Sequence, residues 1–252
     1  MSVISIANHK GGVGKTTTAI NLAAGIARLG YKVLLIDLDP QANASFALGL
    51  KKQDQTIYQV LAFQDDIRKM ILEMEDFSMV PSSVHLAGFE KNIEVGKEFI
   101  LQESLIPVRE LYDFILIDCP PSLGSLTVSA LTASDFVVIA LQPESLALQG
   151  MSDFIKILRT VKTRMNDKLE LLGIVITQFD HRKVLHRDIL EVATERYGDA
   201  ILHAKIRGNV ALAESQSMGK HIFQYDELCN GAEDYMELTK EIISRVRAEM
   251  AV

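Results

Sequence analysis

Residues 3–17 read VISIANHKGGVGKTT: an apolar, β-branched run, a glycine-rich turn and the start of a helical pattern. Phosphate binding needs this order. Glycines let consecutive backbone N–H groups turn inward around phosphate oxygens, and a helix N-terminus directly behind them adds positive potential. Gly11, Gly12, Val13, Gly14 and Thr17 then form the cradle, Lys15 neutralises the β- and γ-phosphates, and the Thr16 hydroxyl binds Mg²⁺. The ordinary spacing is GxxxxGK[ST]. Here its first glycine position is His9 and the next residue is Lys10, so the loop reads KGGVGKT and gains a second lysine. One loop rarely needs two lysines for one triphosphate.

Beyond this loop, short apolar strands alternate with helical patterns. Strands are expected at Val3–Ala7, Lys32–Ile36, Phe114–Asp118, Phe136–Leu141 and Leu171–Thr177. Their apolar character is nearly continuous, as in parallel strands buried on both faces. Helices are expected at Thr16–Leu29, Leu123–Thr132, Leu146–Arg164 and Val184–Tyr197. The alternation predicts an α/β fold: a doubly wound, mostly parallel sheet with helices on both faces. The 252 residues suit one P-loop domain. Lys51–Leu111 is less regular and reads as an insertion within it, with short helices and one strand near Phe77–Val80. Gly231–Met250 reads as an amphipathic helix with Tyr235, Leu238, Ile242 and Val246 on one face.

Asp37 and Asp39 end the second strand in LLIDLDPQ, and Asp118 ends FILIDCPPS. In a parallel sheet these strand ends converge on the glycine loop. Asp118 fits the Walker B role, holding Mg²⁺ through water. Period-two alternation puts Asp37 and Asp39 on one face, and one of them can orient the attacking water. The competing reading for these acids is capping of turns.

Composition excludes several classes. The net charge of −7 rules out a globally basic nucleic-acid binder, though not a local patch. Two distant cysteines, Cys119 and Cys229, give neither a disulfide framework nor a zinc site. There is no signal-peptide pattern at the N-terminus and no apolar run of the roughly 20 residues a membrane span requires. A cytoplasmic protein without stable membrane insertion is expected.

The stretches KGGVGKTTTAINLAAGIARLGYKVLLIDLDPQ and DFILIDCPPSLG closely resemble the ParA/Soj partition ATPases, within the deviant Walker A group that includes MinD. The likeness continues through ALQPESLALQGM, LLGIVITQFD and NVALAESQSMGKHIFQYDELCNGAEDY. With the loop starting near residue 10 and no helix-turn-helix ahead of it, the chain is similar to the short chromosomal type. The resemblance implies an Mg²⁺-dependent ATP hydrolase. ATP closes a homodimer, with Lys10 of each subunit on the other's nucleotide. The dimer binds double-stranded DNA non-specifically and so associates with the nucleoid, and a ParB-like activator stimulates hydrolysis. It implies Lys10, Lys15 and Asp39 as catalytic residues, and Thr16, Asp39 and Asp118 around the metal. Where the family commonly has Pro-Arg-Asn-Val-Arg near adenine and the DNA face, this chain has Arg207-Gly208-Asn209-Val210-Ala211. Asn209 keeps the place beside the base, and Arg207 stands where the proline's backbone contact is lost; both are candidate nucleotide contacts, while Gly208 and Ala211 replace two arginines of the usual DNA surface.

A DNA patch must therefore be local. From His181 to Lys220 seven Lys/Arg stand against five acids, a modest reversal of the chain's sign. Arg182, Lys183, Arg187, Lys205 and Lys220 are the candidate contacts. The competing reading is a MinD-like ATPase acting at a membrane or protein assembly. Its basic amphipathic tail is not matched by EIISRVRAEMAV, where Glu241 and Glu249 balance Arg245 and Arg247.

Overall fold

The computed structural model describes residues 1–91, 96–144 and 147–251. Leu146, the expected start of one helix, lies outside the described residues, as does Val252 of the tail. The strands are β1 (Ser2–Ala7), β2 (Val33–Asp37), β3 (Leu72–Glu73), β4 (Ser78–Val80), β5 (Phe114–Asp118), β6 (Phe136–Leu141), β7 (Glu170–Phe179) and β8 (Ile201–Arg207). They form one sheet in the order β3-β4-β2-β5-β1-β6-β7-β8. Every pairing is parallel except β3 against β4.

The apolar runs are continuous because each strand supplies two cores. Val3, Leu34, Ile36, Ile115, Ile117, Val137 and Ile139 join one core, and their neighbours Ile4, Ile6, Val33, Leu35, Leu116 and Val138 join the other. This is the two-residue alternation of a pleated strand with no face left to water. The first core is completed by helices Ser125–Ala133 and Ala147–Arg164, through Leu126, Leu131, Met151, Phe154 and Leu158. Helices Lys15–Arg28 and Asn230–Met250 cover the other face. Tyr235, Leu238, Ile242 and Val246 are all buried, as the amphipathic pattern predicts. Burial is worth about 1.5–3 kcal/mol for each of the aliphatic three, which holds this helix on the sheet. It lies so close to Lys15–Arg28 that a Cβ on Gly25 would meet Thr239 Oγ1 at 2.2 Å.

Two strands go beyond the sequence expectation. β3 is only two residues long. β8, ILHAKIR, sits at the sheet edge, where His203, Lys205 and Arg207 alternate with buried Leu202, Ala204 and Ile206. An edge strand with polar alternate positions lacks the continuous apolar run that marks its central neighbours. Residues 51–111 contribute β3 and β4 to the opposite edge and bury Ile57, Val60, Leu61, Leu101 and Leu105 in the first core. Within this frame β1, β2 and β5 end together: Asp37 is in register with Asp118, and Ile6 with Asp118.

Candidate active site

The glycine loop leaves the end of β1 and enters the helix at Lys15. Gly12 and Gly14 have φ of 76° and 85°, the left-handed region that glycine adopts without steric cost. Gly14 is the helix N-cap and no side chain caps the first turn, so its N–H groups face the loop rather than a carboxylate or hydroxyl. Asn8, which the sequence reading did not single out, shapes the entrance. Its Nδ2 donates to Ala140 O at 2.6 Å while its Oδ1 accepts from Lys10 N at 3.1 Å.

The two lysines have different surroundings. Lys15 is buried, and its Nζ donates to the Lys10 carbonyl at 3.0 Å. Burial lowers its pKa, opposed by the nearby Asp118, Cys119 and Asp39. Lys10 is half-exposed, and its Nζ lies 2.6 Å from Glu144 Oε2 in the segment after β6. The ion pair with Lys10 pulls Glu144 below the usual carboxylate range. Thr17 Oγ1 accepts from Gln216 Nε2 at 2.8 Å, tying the loop to helix Val210–Ser217.

The three carboxylates divide by their partners. Asp37 is fully buried and accepts from Asp39 N at 3.1 Å, Ser45 N at 2.9 Å and Ser45 Oγ at 2.7 Å. Burial pushes its carboxyl up to about 6, with the Ser45 and Asp39 bonds opposing. Asp37 thus braces the segment that carries Asp39, the turn-capping role foreseen as the alternative. Ser82 extends the brace: its N donates to Ser45 Oγ at 3.0 Å, and its hydroxyl donates to Asp39 O at 2.6 Å. Neither serine carried a recognisable signal in the sequence. Asp39 is buried to 5% exposure, and its Oδ1 accepts from Gln41 N at 2.9 Å. Desolvation raises its pKa, against the pull of the Gln41 N–H and Lys15.

Asp118 is fully buried at the end of β5. Desolvation and the neighbouring Asp37 raise its pKa well above the usual value, opposed by Thr16 and Lys15. Although Thr16 is near, neither Asp118 oxygen completes a hydrogen bond. A buried carboxylate without donors is costly, and this one sits beside a hydroxyl and an ammonium. That donor set fits a hydrated Mg²⁺, which Thr16 and Asp118 would hold.

Beside the loop lies a cavity of about 270 Å³, lined in part by Gly14, Thr17, Thr177, Arg207, Asn209 and Tyr235. Arg207 and Asn209 both line it, and both also serve the fold. Arg207 Nε donates to Asp234, and a terminal nitrogen donates to both Asp234 and Glu233. Asn209 Oδ1 accepts from Ala211 N at 2.9 Å, capping Val210–Ser217.

Of the basic candidates, Arg187 and Lys205 lie in regular elements and the other three in connecting segments. Arg182 makes two 3.0 Å bonds to Asp180, which neutralises it locally. Lys183 is the N-cap of helix Val184–Tyr197, and Arg187, one turn on, donates to His181 O at 2.9 Å. Lys205 lies on β8, and Lys220 follows Val210–Ser217.

The family model described as an AAA domain matches residues 1–171. The chain is 42% identical over 246 residues to the sporulation initiation inhibitor protein Soj of Bacillus subtilis, covering 95% of this chain and 97% of that one. It belongs to the ParA/Soj family of partition ATPases. The chromosome partitioning protein ParA of Caulobacter vibrioides is 39% identical, covering 100% of this chain and 97% of its own. Among solved structures, a cobyrinic acid a,c-diamide synthase from Mycobacterium smegmatis with bound ADP and magnesium superposes with a TM-score of 0.86. That match has 30% identity and covers 98% of this chain and 96% of the synthase. A plasmid partition protein from Borrelia burgdorferi bound to AMPPNP gives 0.82 at 28% identity, covering 98% and 99%. As a member of this family the chain is an ATP hydrolase.

Proposed function

We propose that this chain is a partition ATPase whose cycle runs through an ATP-dependent homodimer. Nucleotide and Mg²⁺ binding are supported by the ADP, magnesium and AMPPNP of the solved neighbours. The loop N–H groups from Gly11 to Thr17 and the Lys15 ammonium hold the phosphates, with Arg207 and Asn209 beside the base. Thr16 and Asp118, with Asp39 close by, would hold Mg²⁺, which would supply positive charge to offset that of the phosphates. Asp39 orients the attacking water, while Asp37 fixes the segment that carries it. The dimer binds double-stranded DNA through Arg182, Lys183, Arg187, Lys205 and Lys220, and a ParB-like protein stimulates turnover and release. Doubling a weak patch raises affinity through effective concentration, which gives ATP a physical means of switching DNA binding on. The ATP-bound form therefore rides on the nucleoid in the cytoplasm.

The observation that carries this reading is the contrast between the two lysines. Lys15 is buried within its own loop, whereas Lys10 is half-exposed and held by Glu144 in a surface pair. Such exposed pairs are worth about 0–1 kcal/mol, so Lys10 is readily released to a partner's phosphates. Among the described residues no helix is long and apolar enough to cross a membrane. The apolar face of Asn230–Met250 is packed on the sheet, which disfavours the surface-anchored alternative.

The test is Lys10→Ala with ATP, ADP and no nucleotide, read by light scattering and by DNA co-sedimentation at two salt concentrations. The variant is expected to bind nucleotide yet stay monomeric and off DNA. For the unaltered protein, DNA binding should need ATP and fall steeply with salt. A Lys10→Ala protein that still dimerises with ATP would remove the cross-subunit role.

A further inference from the structure

Gln178 lies near the end of β7 with φ of 51°, a left-handed conformation that non-glycine residues seldom adopt. The β7–β8 register shifts in the same place, between Ile176 and Phe179. The kink has a geometric consequence. In a regular strand, adjacent side chains point to opposite faces. Here the adjacent residues Thr177 and Gln178 both reach the glycine loop. Thr177 Oγ1 donates to Val13 O at 2.7 Å, and Gln178 Nε2 donates to Gly12 O at 2.9 Å. The Gln178 amide oxygen in turn accepts from Gln142 Nε2 at 3.2 Å, which orients the amide with its donors toward the loop.

We infer that Gln178 is a positioning residue for the phosphate loop, and that its strained backbone is retained so that its amide can hold the Gly12 carbonyl. A peptide plane presents its C=O and N–H on opposite sides. Holding the Gly12 and Val13 carbonyls on the β7 side turns the N–H groups of Val13 and Gly14 the other way, into the anion cradle. Thr177 is buried and its bond is sheltered, whereas Gln178 is exposed. Gln178 is therefore the adjustable half of the clamp. Through Gln142 it also meets the segment that carries Glu144, the ion-pair partner of Lys10. The inference rests on the reading that the glycine loop binds the nucleotide phosphates.

The experiment compares Gln178→Gly and Gln178→Leu with the unaltered protein, using Lys15→Ala as a control. The readouts are Mg-ADP and Mg-AMPPNP affinity by calorimetry, the apo melting temperature, and steady-state KM and kcat. Glycine suits the positive φ, so Gln178→Gly is expected to match or exceed the unaltered apo Tm. It should nevertheless bind both nucleotides about 5- to 10-fold more weakly, the effect of one lost hydrogen bond to the loop. KM should rise with kcat held within about twofold, because the cradle serves ground and transition states alike. Gln178→Leu, which keeps the bulk and loses the donor, should weaken binding equally. Lys15→Ala should weaken binding far more. Nucleotide affinity unchanged in Gln178→Gly while Lys15→Ala loses it overturns the inference alone. Unchanged affinity in Lys15→Ala overturns the loop assignment beneath it. A fall in apo Tm with no change in affinity makes Gln178 a fold residue and also overturns the inference.

Discussion

Replacing Arg207 by alanine separates stability from nucleotide recognition. Its Nε lies 2.9 and 3.0 Å from the two Asp234 oxygens, and a terminal nitrogen lies 2.5 Å from Asp234 and 2.7 Å from Glu233. The Asp234 side chain is 5% exposed and that of Arg207 42%. Removing the guanidinium leaves a buried carboxylate with the residue 207 N–H still donating at 2.8 Å. Breaking a fully buried pair costs about 3–5 kcal/mol. Exposed pairs are worth about 0–1 kcal/mol, so the mostly exposed Glu233 adds little. With one partner buried and the other half-wet, the loss should be about 2–3 kcal/mol. For a chain of this size that lowers Tm by about 4–12 °C. Urea and thermal unfolding measure the loss, and calorimetry measures Mg-ADP affinity, expected within about threefold of the unaltered protein. Adding Asp234→Asn should restore at least half the stability, because the amide oxygen still accepts from the backbone and no buried charge is stranded. An Arg207→Ala protein of unaltered stability that binds nucleotide tenfold more weakly would refute this reasoning and show that the guanidinium, and not just the backbone of residue 207 beside the base, serves the nucleotide.

The acids divide in the same way. Asp39→Ala should retain nucleotide and lose about 10²–10⁴ in turnover, measured as phosphate release, since positioning and general-base effects have that size. Asp37→Ala should instead lower the unfolding midpoint, because the Ser45 and Asp39 N–H groups lose a buried acceptor at about 1–3 kcal/mol each. Near-normal turnover in Asp39→Ala would move the role elsewhere. Gly25→Ala gains about 1 kcal/mol of helix propensity. It should still be destabilised by about 1–3 kcal/mol through the 2.2 Å approach to Thr239 Oγ1, and adding Thr239→Ala should recover most of that. A single variant as stable as the unaltered protein would show that the two helices part without cost.

The sequence by itself determined the central sheet and the phosphate loop. Both are local in origin: continuous β-branched runs between helical patterns imply parallel strands buried on two faces, and glycines between a strand and a helix imply an anion cradle. The periodicity of Tyr235, Leu238, Ile242 and Val246 likewise foretold the packed face of the last helix. The edge strand β8 was not legible, because at a sheet edge His203, Lys205 and Arg207 interrupt the apolar run. Nor were Ser45, Ser82, Asn8 and Gln178, common polar residues whose roles come from what the fold brings beside them. Asp37 and Asp39 look equivalent in LLIDLDPQ. Only tertiary structure, by folding Ser45 back onto Asp37 and leaving both Asp118 oxygens without a hydrogen bond, separates the acid that braces the neighbouring segment from the one whose oxygens are unpartnered. Arg207 shows the same limit, since Asp234 and Glu233 stand more than twenty residues away in sequence and reach it only through the packing of the last helix against β8. Sequence pattern reports a residue's burial and local backbone, whereas a side chain's chemistry is set by partners distant in the chain.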